Sequence, residues 1–198
     1  MRRIVKLTRA LADYERILQP ERRHFLAQYR LVDAAFKAVG TGSIGLRTYC
    51  LYFEGVSRAP GTDPLFLQMK EEPPSAYASY LPKSTVCHSN QAHRVVDGQR
   101  AMQLTSDPLL GFTTMDGRHF LVRQLNDHKA ALNIDRLSGP HLLSCADICG
   151  ELLARGHARS GDAALIAGYL GRSDRFDRAI LRFSRAYADK MESDWKSF

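Results

Sequence analysis

The chain has 198 residues, enough for one domain or two small ones, and 28 Lys and Arg against 21 Asp and Glu give a formal net charge of +7. Apolar residues at 44% and charged residues at 25% exclude a disordered chain and allow a sizeable core. The sequence contains no run of 18 apolar residues, no signal-peptide core and only four scattered cysteines. It therefore predicts a cytoplasmic protein with no membrane span and no disulfide scaffold.

A helical pattern opens the chain, and residues 1–31 are predicted to be helical. Apolar side chains recur there at spacings of three and four, which places the following residues on one stripe of a helix: Ile4, Leu7, Leu11, Tyr14 and Leu18. Pro20 begins a second helical piece, because a proline in the first turn lacks only an N–H that would have had no partner. We treat this segment as the first of three divisions, before residues 32–135 and 136–198.

Three short strands are predicted next, because the apolar period changes and turn residues separate the segments. The strands cover residues 34–39, 46–53 and 64–70. Alternation in the third strand places Lys70 on one face and Met69 on the other. The short links between the three strands predict an antiparallel meander.

A helix and a hairpin follow the meander. Residues 90–104 carry apolar side chains at helical spacing, whereas residues 112–123 form two runs of alternating character. Asp116 and Gly117 lie between these runs, and Asp-Gly is a dipeptide that a type I′ turn favours. The sequence therefore predicts five strands in all.

The C-terminal part of the chain is predicted to be helical. One helix covers residues 142–156, and another begins at Ser173. The second has an apolar stripe that we expect to face inward: Phe176, Ile180, Phe183, Tyr187 and Met191. The order of elements predicts an α+β fold, with an antiparallel sheet of about five strands, one packed helix, and further helices at both ends of the chain.

Residues 40–45, here called the glycine loop, have the pattern G-x-G-x-x-G. A dinucleotide-binding loop would open a helix, but residues 46–53 are predicted to be a strand, and no Gly-Lys-Ser or Gly-Lys-Thr follows as in a P-loop. In protein-kinase-like enzymes such a loop joins two antiparallel strands and covers ATP, and a lysine on the next strand contacts the phosphates. Lys70 has that position. The alternative is a glycine-rich hairpin turn beside a surface lysine.

The kinase-type hypothesis assigns nucleotide contacts to several segments. The Lys70 ammonium contacts the phosphates, and Asp97, the acidic side chain of the predicted helix, is its expected partner. Arg123 and Gln124 lie near the hinge where adenine stacks. Backbone N–H groups of the glycine loop cover the phosphates, at positions Gly40, Gly42, Ser43 and Gly45.

Six segments carry a family resemblance: residues 36–47, 63–71, 90–100, 120–125, 157–162 and 167–171. They resemble the uncharacterised bacterial family called domain of unknown function 2252, which is similar to protein-kinase-like phosphotransferases. The resemblance implies a sheet like that of a kinase N-lobe, with ATP and Mg²⁺ as cofactors. Full members of the family are longer and carry upstream motifs suited to a catalytic base and to Mg²⁺ ligands. The resemblance therefore implies the C-terminal part of such a protein, with a missing or separately encoded N-terminal half as its partner.

Phosphoryl transfer also needs a carboxylate near the acceptor hydroxyl. The candidate segment contains His157, Arg159 and Asp162 and is similar to a His-Arg-Asp catalytic loop, but the expected Asn is absent from residues 163–167. The alternative is that His157 and Arg159 end a helix, whose negative pole favours basic residues. We therefore expect ATP binding without a complete catalytic set.

A pair of cysteines suggests a different chemistry. Cys145 and Cys149 lie one helical turn apart and could bind zinc together with His141 or His157. Both cysteines fall on the apolar stripe of the predicted helix, where a thiol behaves as a small hydrophobic group. This position favours packing over metal binding.

A basic stripe on the last helix suggests nucleic acid, and it contains Arg175, Arg178, Arg182 and Arg185. Asp174 and Asp177 interleave with it, which favours a solvated helix face. Two alternatives to a phosphotransferase stay open. One is a non-enzymatic, pseudokinase-like interaction or regulatory module; the other, less favoured, is a nucleic-acid-binding protein.

Overall fold

A computed structural model gives the fold and describes these residues: 2–37, 40, 43–56, 59, 61–82, 88–125, 133 and 136–198. The chain divides into two compact units, Met1–Leu142 (unit 1) and Leu143–Phe198 (unit 2). Within the described part of the chain, no helix has both the length and the apolar character needed to cross a membrane.

The described residues of unit 1 contain five strands: β1 Tyr29–Phe36, β2 Thr48–Gly55, β3 Pro64–Glu71, β4 Gly111–Met115 and β5 Arg118–Gln124. They form one antiparallel sheet in the order β1-β2-β3-β5-β4. The predicted α+β class and five-stranded antiparallel sheet are confirmed. The Asp-Gly turn is confirmed as well, since Asp116 and Gly117 both have the positive φ angles (53° and 71°) of a type I′ turn.

The described part of unit 1 also contains α1 Arg2–Ile17 and α2 Pro20–Leu26 before β1, and α3 Gln91–Met102 between β3 and β4. The predicted helical segment 1–31 is too long by five residues, because Tyr29 and Leu31 pair with β2 and pack against the core as part of β1. Long-range pairing overrides the local preference at this boundary.

Helix α1 packs against β4 and covers one face of the sheet. Leu7, Leu11 and Tyr14 of its predicted stripe are buried there, while the side chain of Ile4 lies outside the described part. The Tyr14 hydroxyl donates to the Leu109 carbonyl at 2.5 Å, and the Thr113 hydroxyl donates to the Ala10 carbonyl at 2.6 Å. These bonds satisfy polar groups inside the core.

Helix α3 covers part of the other face, where Ala92 and Val96 pack against Leu110 and Leu121. The Asn90 side chain caps this helix by accepting from two of its first backbone N–H groups. Towards β1 the same face holds partly exposed side chains around the buried Gln68, and we call this part the open face. Strand alternation places the following residues on it: Cys50 and Tyr52 of β2, and Phe66, Gln68 and Lys70 of β3.

Unit 2 is helical, with α5 Ala163–Leu170, α6 Arg175–Ser197 and most of α4 Gly139–Ser160. The predicted stripe of the last helix does form, but its five side chains are 42–64% exposed, so the expectation that it faces inward is wrong. Gly156 is the one buried residue of unit 2, all of which is described. Within unit 2, no helix packs extensively against α6.

Candidate functional site

The glycine loop connects β1 to β2, and Lys70 lies on β3 directly opposite Thr48, the first residue of β2. Gly40 and Gly45 have φ angles of 55° and 83°, a backbone conformation that favours glycine. The Ser43 N–H donates to the Gly40 carbonyl at 3.3 Å. Gly42 lies outside the described residues.

Glu71 holds the end of this loop against the sheet. Its backbone N–H donates to the Arg47 carbonyl at 2.8 Å, and its carboxylate accepts from the Arg47 N–H at 3.1 Å. Arg118 pairs with the same carboxylate at 2.5 Å. The loop therefore ends at a defined position beside Lys70.

Thr48 has a buried hydroxyl at this position. The residue is 1% exposed, and its Oγ1 finds no hydrogen-bond partner among the described residues. Because Thr48 and Lys70 are directly opposed in the ladder, their side chains lie on the same face. An unsatisfied buried hydroxyl carries an unfavourable desolvation energy, which a ligand could remove.

Lys70 lies beside the carboxylate of Glu72, two residues further along the chain. The Lys70 Nζ lies 3.8 Å from Glu72 Oε1, and the Glu72 side chain is 14% exposed. Burial raises the pKa of Glu72 above its ordinary value. Three cations oppose this rise because they favour the charged carboxylate, and we call them the cation cluster: Lys70, Arg94 and Arg123.

The predicted pairing of Lys70 with Asp97 is not formed in the structure. Asp97 instead contacts His88 and His93. The side of α3 near Glu72 presents Arg94, whose guanidinium also donates to the Pro73 carbonyl at 3.4 Å. Positions 94 and 97 are neighbours on the surface of α3, so helix periodicity does not separate them, and the two histidine contacts decide where the Asp97 carboxylate lies.

Arg123 and Gln124, the other two predicted nucleotide contacts, lie on opposite faces of the sheet. The Arg123 Nε donates to Gln68 Oε1 at 2.9 Å, which places Arg123 on the open face. Gln124 pairs with Leu67, a core residue, and therefore lies on the opposite face. Its backbone N–H donates to Asp107 at 2.5 Å. Of the two predicted adenine contacts, only Arg123 shares a face with Lys70.

A second cluster comprises His88, His93 and Asp97, and the sequence analysis did not single out its histidines. The two imidazole Nε2 atoms lie 2.7 Å (His88) and 3.3 Å (His93) from Asp97 Oδ2. Among the described residues, this is the group whose ligand atoms lie close enough together to hold a metal ion. The signal in the sequence was the spacing H-x4-H-x3-D, whose last two members share a helix face.

The structure places the candidate catalytic segment at a helix junction in unit 2. His157 and Arg159 lie in the last turn of α4, as the alternative interpretation expected. The Asp162 carboxylate accepts from the Leu165 N–H at 2.9 Å and so caps α5, a helix that the sequence analysis did not predict. This carboxylate therefore has a structural role.

The cysteine pair lies on α4, where the two thiols contact each other. Burial and the neighbouring Cys149 raise the pKa of Cys145. Neither thiol belongs to the group of possible metal ligands found among the described residues.

The predicted arginine stripe of α6 is exposed. Arg178 pairs with Asp174 one helical turn away, which agrees with a solvated helix face.

Comparison with known proteins gives one match. A family model described as "Uncharacterized protein conserved in bacteria (DUF2252)" matches residues 3–198. No curated protein and no solved structure matches the chain. Because the family model covers nearly every residue, the chain belongs to this family of uncharacterised bacterial proteins.

Proposed function

We propose that the open face binds ATP, with the triphosphate held between the glycine loop and the cation cluster. The observation that carries this proposal is the position of Lys70, which lies 3.8 Å from the largely buried Glu72 carboxylate and directly opposite Thr48 at the end of the glycine loop, with Arg94 and Arg123 acting on the same carboxylate. One carboxylate balances only part of the positive charge of these three side chains, and a polyphosphate would supply the remaining negative charge.

Two features near Lys70 support the binding of a phosphate group between the glycine loop and the cation cluster. Its glycines at positive φ allow backbone N–H groups to approach an anion closely. The buried Thr48 hydroxyl faces the same side as Lys70 and can donate to a phosphate oxygen. Mg²⁺ would enter with the nucleotide and neutralise part of its charge.

The base would lie further along β3. Phe66 is four residues from Lys70, a separation of about 13 Å at the rise of a β-strand, comparable to the length of an extended nucleoside triphosphate. Phe66 stacks on Tyr52 with ring centroids 5.1 Å apart, and such a pair offers an aromatic surface to a purine. Cys50 and Gln68 lie between the two ends.

The order of elements supports a kinase-like origin for this site. A glycine loop between antiparallel strands, a lysine on the third strand, a helix and a hairpin occur in the order that kinases use. We therefore propose a kinase-like phosphotransferase family whose catalytic carboxylates come from another polypeptide segment. The second candidate function is an ATP-binding regulatory module, and the engagement of Asp162 as a helix cap favours it.

Calorimetric titration with ATP and Mg²⁺ tests the proposal. Loss of a charged hydrogen bond costs about 1.5–3 kcal/mol, so Lys70→Ala is expected to weaken ATP binding about 10- to 100-fold. The matched control is Lys6→Ala, which removes an exposed ion pair with Asp116 on the α1 side and should leave affinity unchanged. Equal ATP affinity in the wild type and Lys70→Ala would refute the assignment. Phosphate transfer by the purified chain would exclude the regulatory alternative.

A further inference from the structure

We propose that His88, His93 and Asp97 form a binding site for a divalent transition-metal ion of the Zn²⁺ type. All three ligand atoms lie within 4.8 Å of one another. Two imidazole nitrogens and one carboxylate oxygen make a ligand set that zinc, cobalt and nickel accept. The site is independent of the ATP proposal, because none of its three residues is used there.

The distances agree with the geometry of such an ion. Ligands about 2.0–2.1 Å from a tetrahedral zinc lie about 3.3–3.4 Å from one another. The His93 Nε2 to Asp97 Oδ2 separation is already 3.3 Å. The His88 Nε2 to Asp97 Oδ2 separation is 2.7 Å, a hydrogen-bond distance, and it needs to open by about 0.6 Å. The ion would take the place of the hydrogen bond between these two atoms, with His88 binding it through Nε2 as a neutral imidazole whose proton lies on Nδ1.

The fold holds two of the ligands in place before any ion binds. His93 and Asp97 lie one turn apart on α3, and Asn90 caps the start of that helix. The His93 ring stacks on Phe112 of β4, with ring centroids 4.3 Å apart and planes inclined by 19°. The His88 ring meets the His93 ring edge-on at 5.0 Å. An ion therefore has to order few additional groups.

The cluster is also accessible. The side chains of His88, His93 and Asp97 are 20%, 43% and 45% exposed. Three protein ligands fill three corners of a tetrahedron and leave the fourth for water or an anionic ligand. This is the arrangement of an open site, which distinguishes it from a four-ligand structural zinc site.

The experiment uses the full chain, stripped of metal by a chelator and titrated with Zn²⁺ by calorimetry and with Co²⁺ by visible absorption. We expect one ion per chain and a Co²⁺ spectrum typical of nitrogen and oxygen ligands. His93→Phe keeps an aromatic ring against Phe112 but removes the ligand atom. Loss of an outer hydrogen-bond partner costs about 10- to 100-fold in metal affinity, so this variant is expected to lose at least about 100-fold.

Three further variants make the result decisive. Asp97→Asn keeps a hydrogen-bonding side chain and should weaken binding as His93→Phe does. His24→Ala removes an exposed histidine of α2 and should change nothing. Replacing Cys145 and Cys149 by Ser should also change nothing. The proposal is overturned if the wild type binds no ion, if both ligand variants bind as the wild type does, or if only the cysteine variant loses binding.

Discussion

Glu72→Gln gives the sharpest test of the ATP site, because it removes the charge that competes with phosphate and keeps the shape of the side chain. The Glu72 carboxylate lies 3.8 Å from the Lys70 ammonium. A phosphate bound to Lys70 would therefore lie near a negative charge that is only 14% exposed. The substitution removes this repulsion and should tighten ATP binding.

The magnitude follows from simple electrostatics. Two unit charges about 4 Å apart interact by about 1 kcal/mol in water and about 4 kcal/mol at the dielectric of a protein surface. A phosphate beyond Lys70 is further from the carboxylate, so we expect a gain of about 1–2 kcal/mol, or about 5- to 30-fold in affinity. Equal or weaker ATP binding by Glu72→Gln would refute the proposed position of the triphosphate.

The pH dependence provides an internal control. The pKa of Glu72 is raised in the folded chain, so its charge carries a cost that is present above the folded pKa and disappears below the unfolded pKa. Glu72→Gln should therefore raise the melting temperature at neutral pH, and this difference should vanish on acidification. The ratio of ATP affinities between variant and wild type should approach one over the same range. A ratio that stays constant with pH would contradict the assignment.

Three other substitutions test the fold and the site. Gly111→Ala would place a Cβ 2.7 Å from the buried Tyr14 ring, so chemical denaturation should show a loss of about 1–3 kcal/mol; unchanged stability would contradict the close packing. Thr48→Val removes an unsatisfied buried hydroxyl and should stabilise the ligand-free chain by about 1 kcal/mol while weakening ATP binding. A loss of stability would show that the hydroxyl is already satisfied. Asp162→Ala removes the cap of α5, which costs about 0.5–2 kcal/mol, and should leave ATP affinity unchanged; a loss of ATP binding would argue against a purely structural Asp162.

Local patterns in the sequence predicted the structure correctly where an element depends mainly on its own residues. The alternation of β3 predicted that Met69 and Lys70 lie on opposite faces, and the structure has Met69 buried in the core and Lys70 partly exposed on the other face. The Asp116-Gly117 turn was predictable because its two positive φ angles favour these residue types. Where the outcome depends on a distant partner, the same patterns failed: the stripe of α6 was predicted to face inward, but its side chains are exposed.

The sequence by itself determined the order of the five strands and of α3 among them, the glycine loop and the strand position of Lys70, since each depends on residues close together in the chain. Tertiary structure decided which charges meet. The rotation of α3 on the sheet brought Arg94 towards Glu72 and left Asp97 with His88 and His93. Helix periodicity shows which residues share a face, but the packing of buried residues such as Val96 against Leu121 sets where that face points.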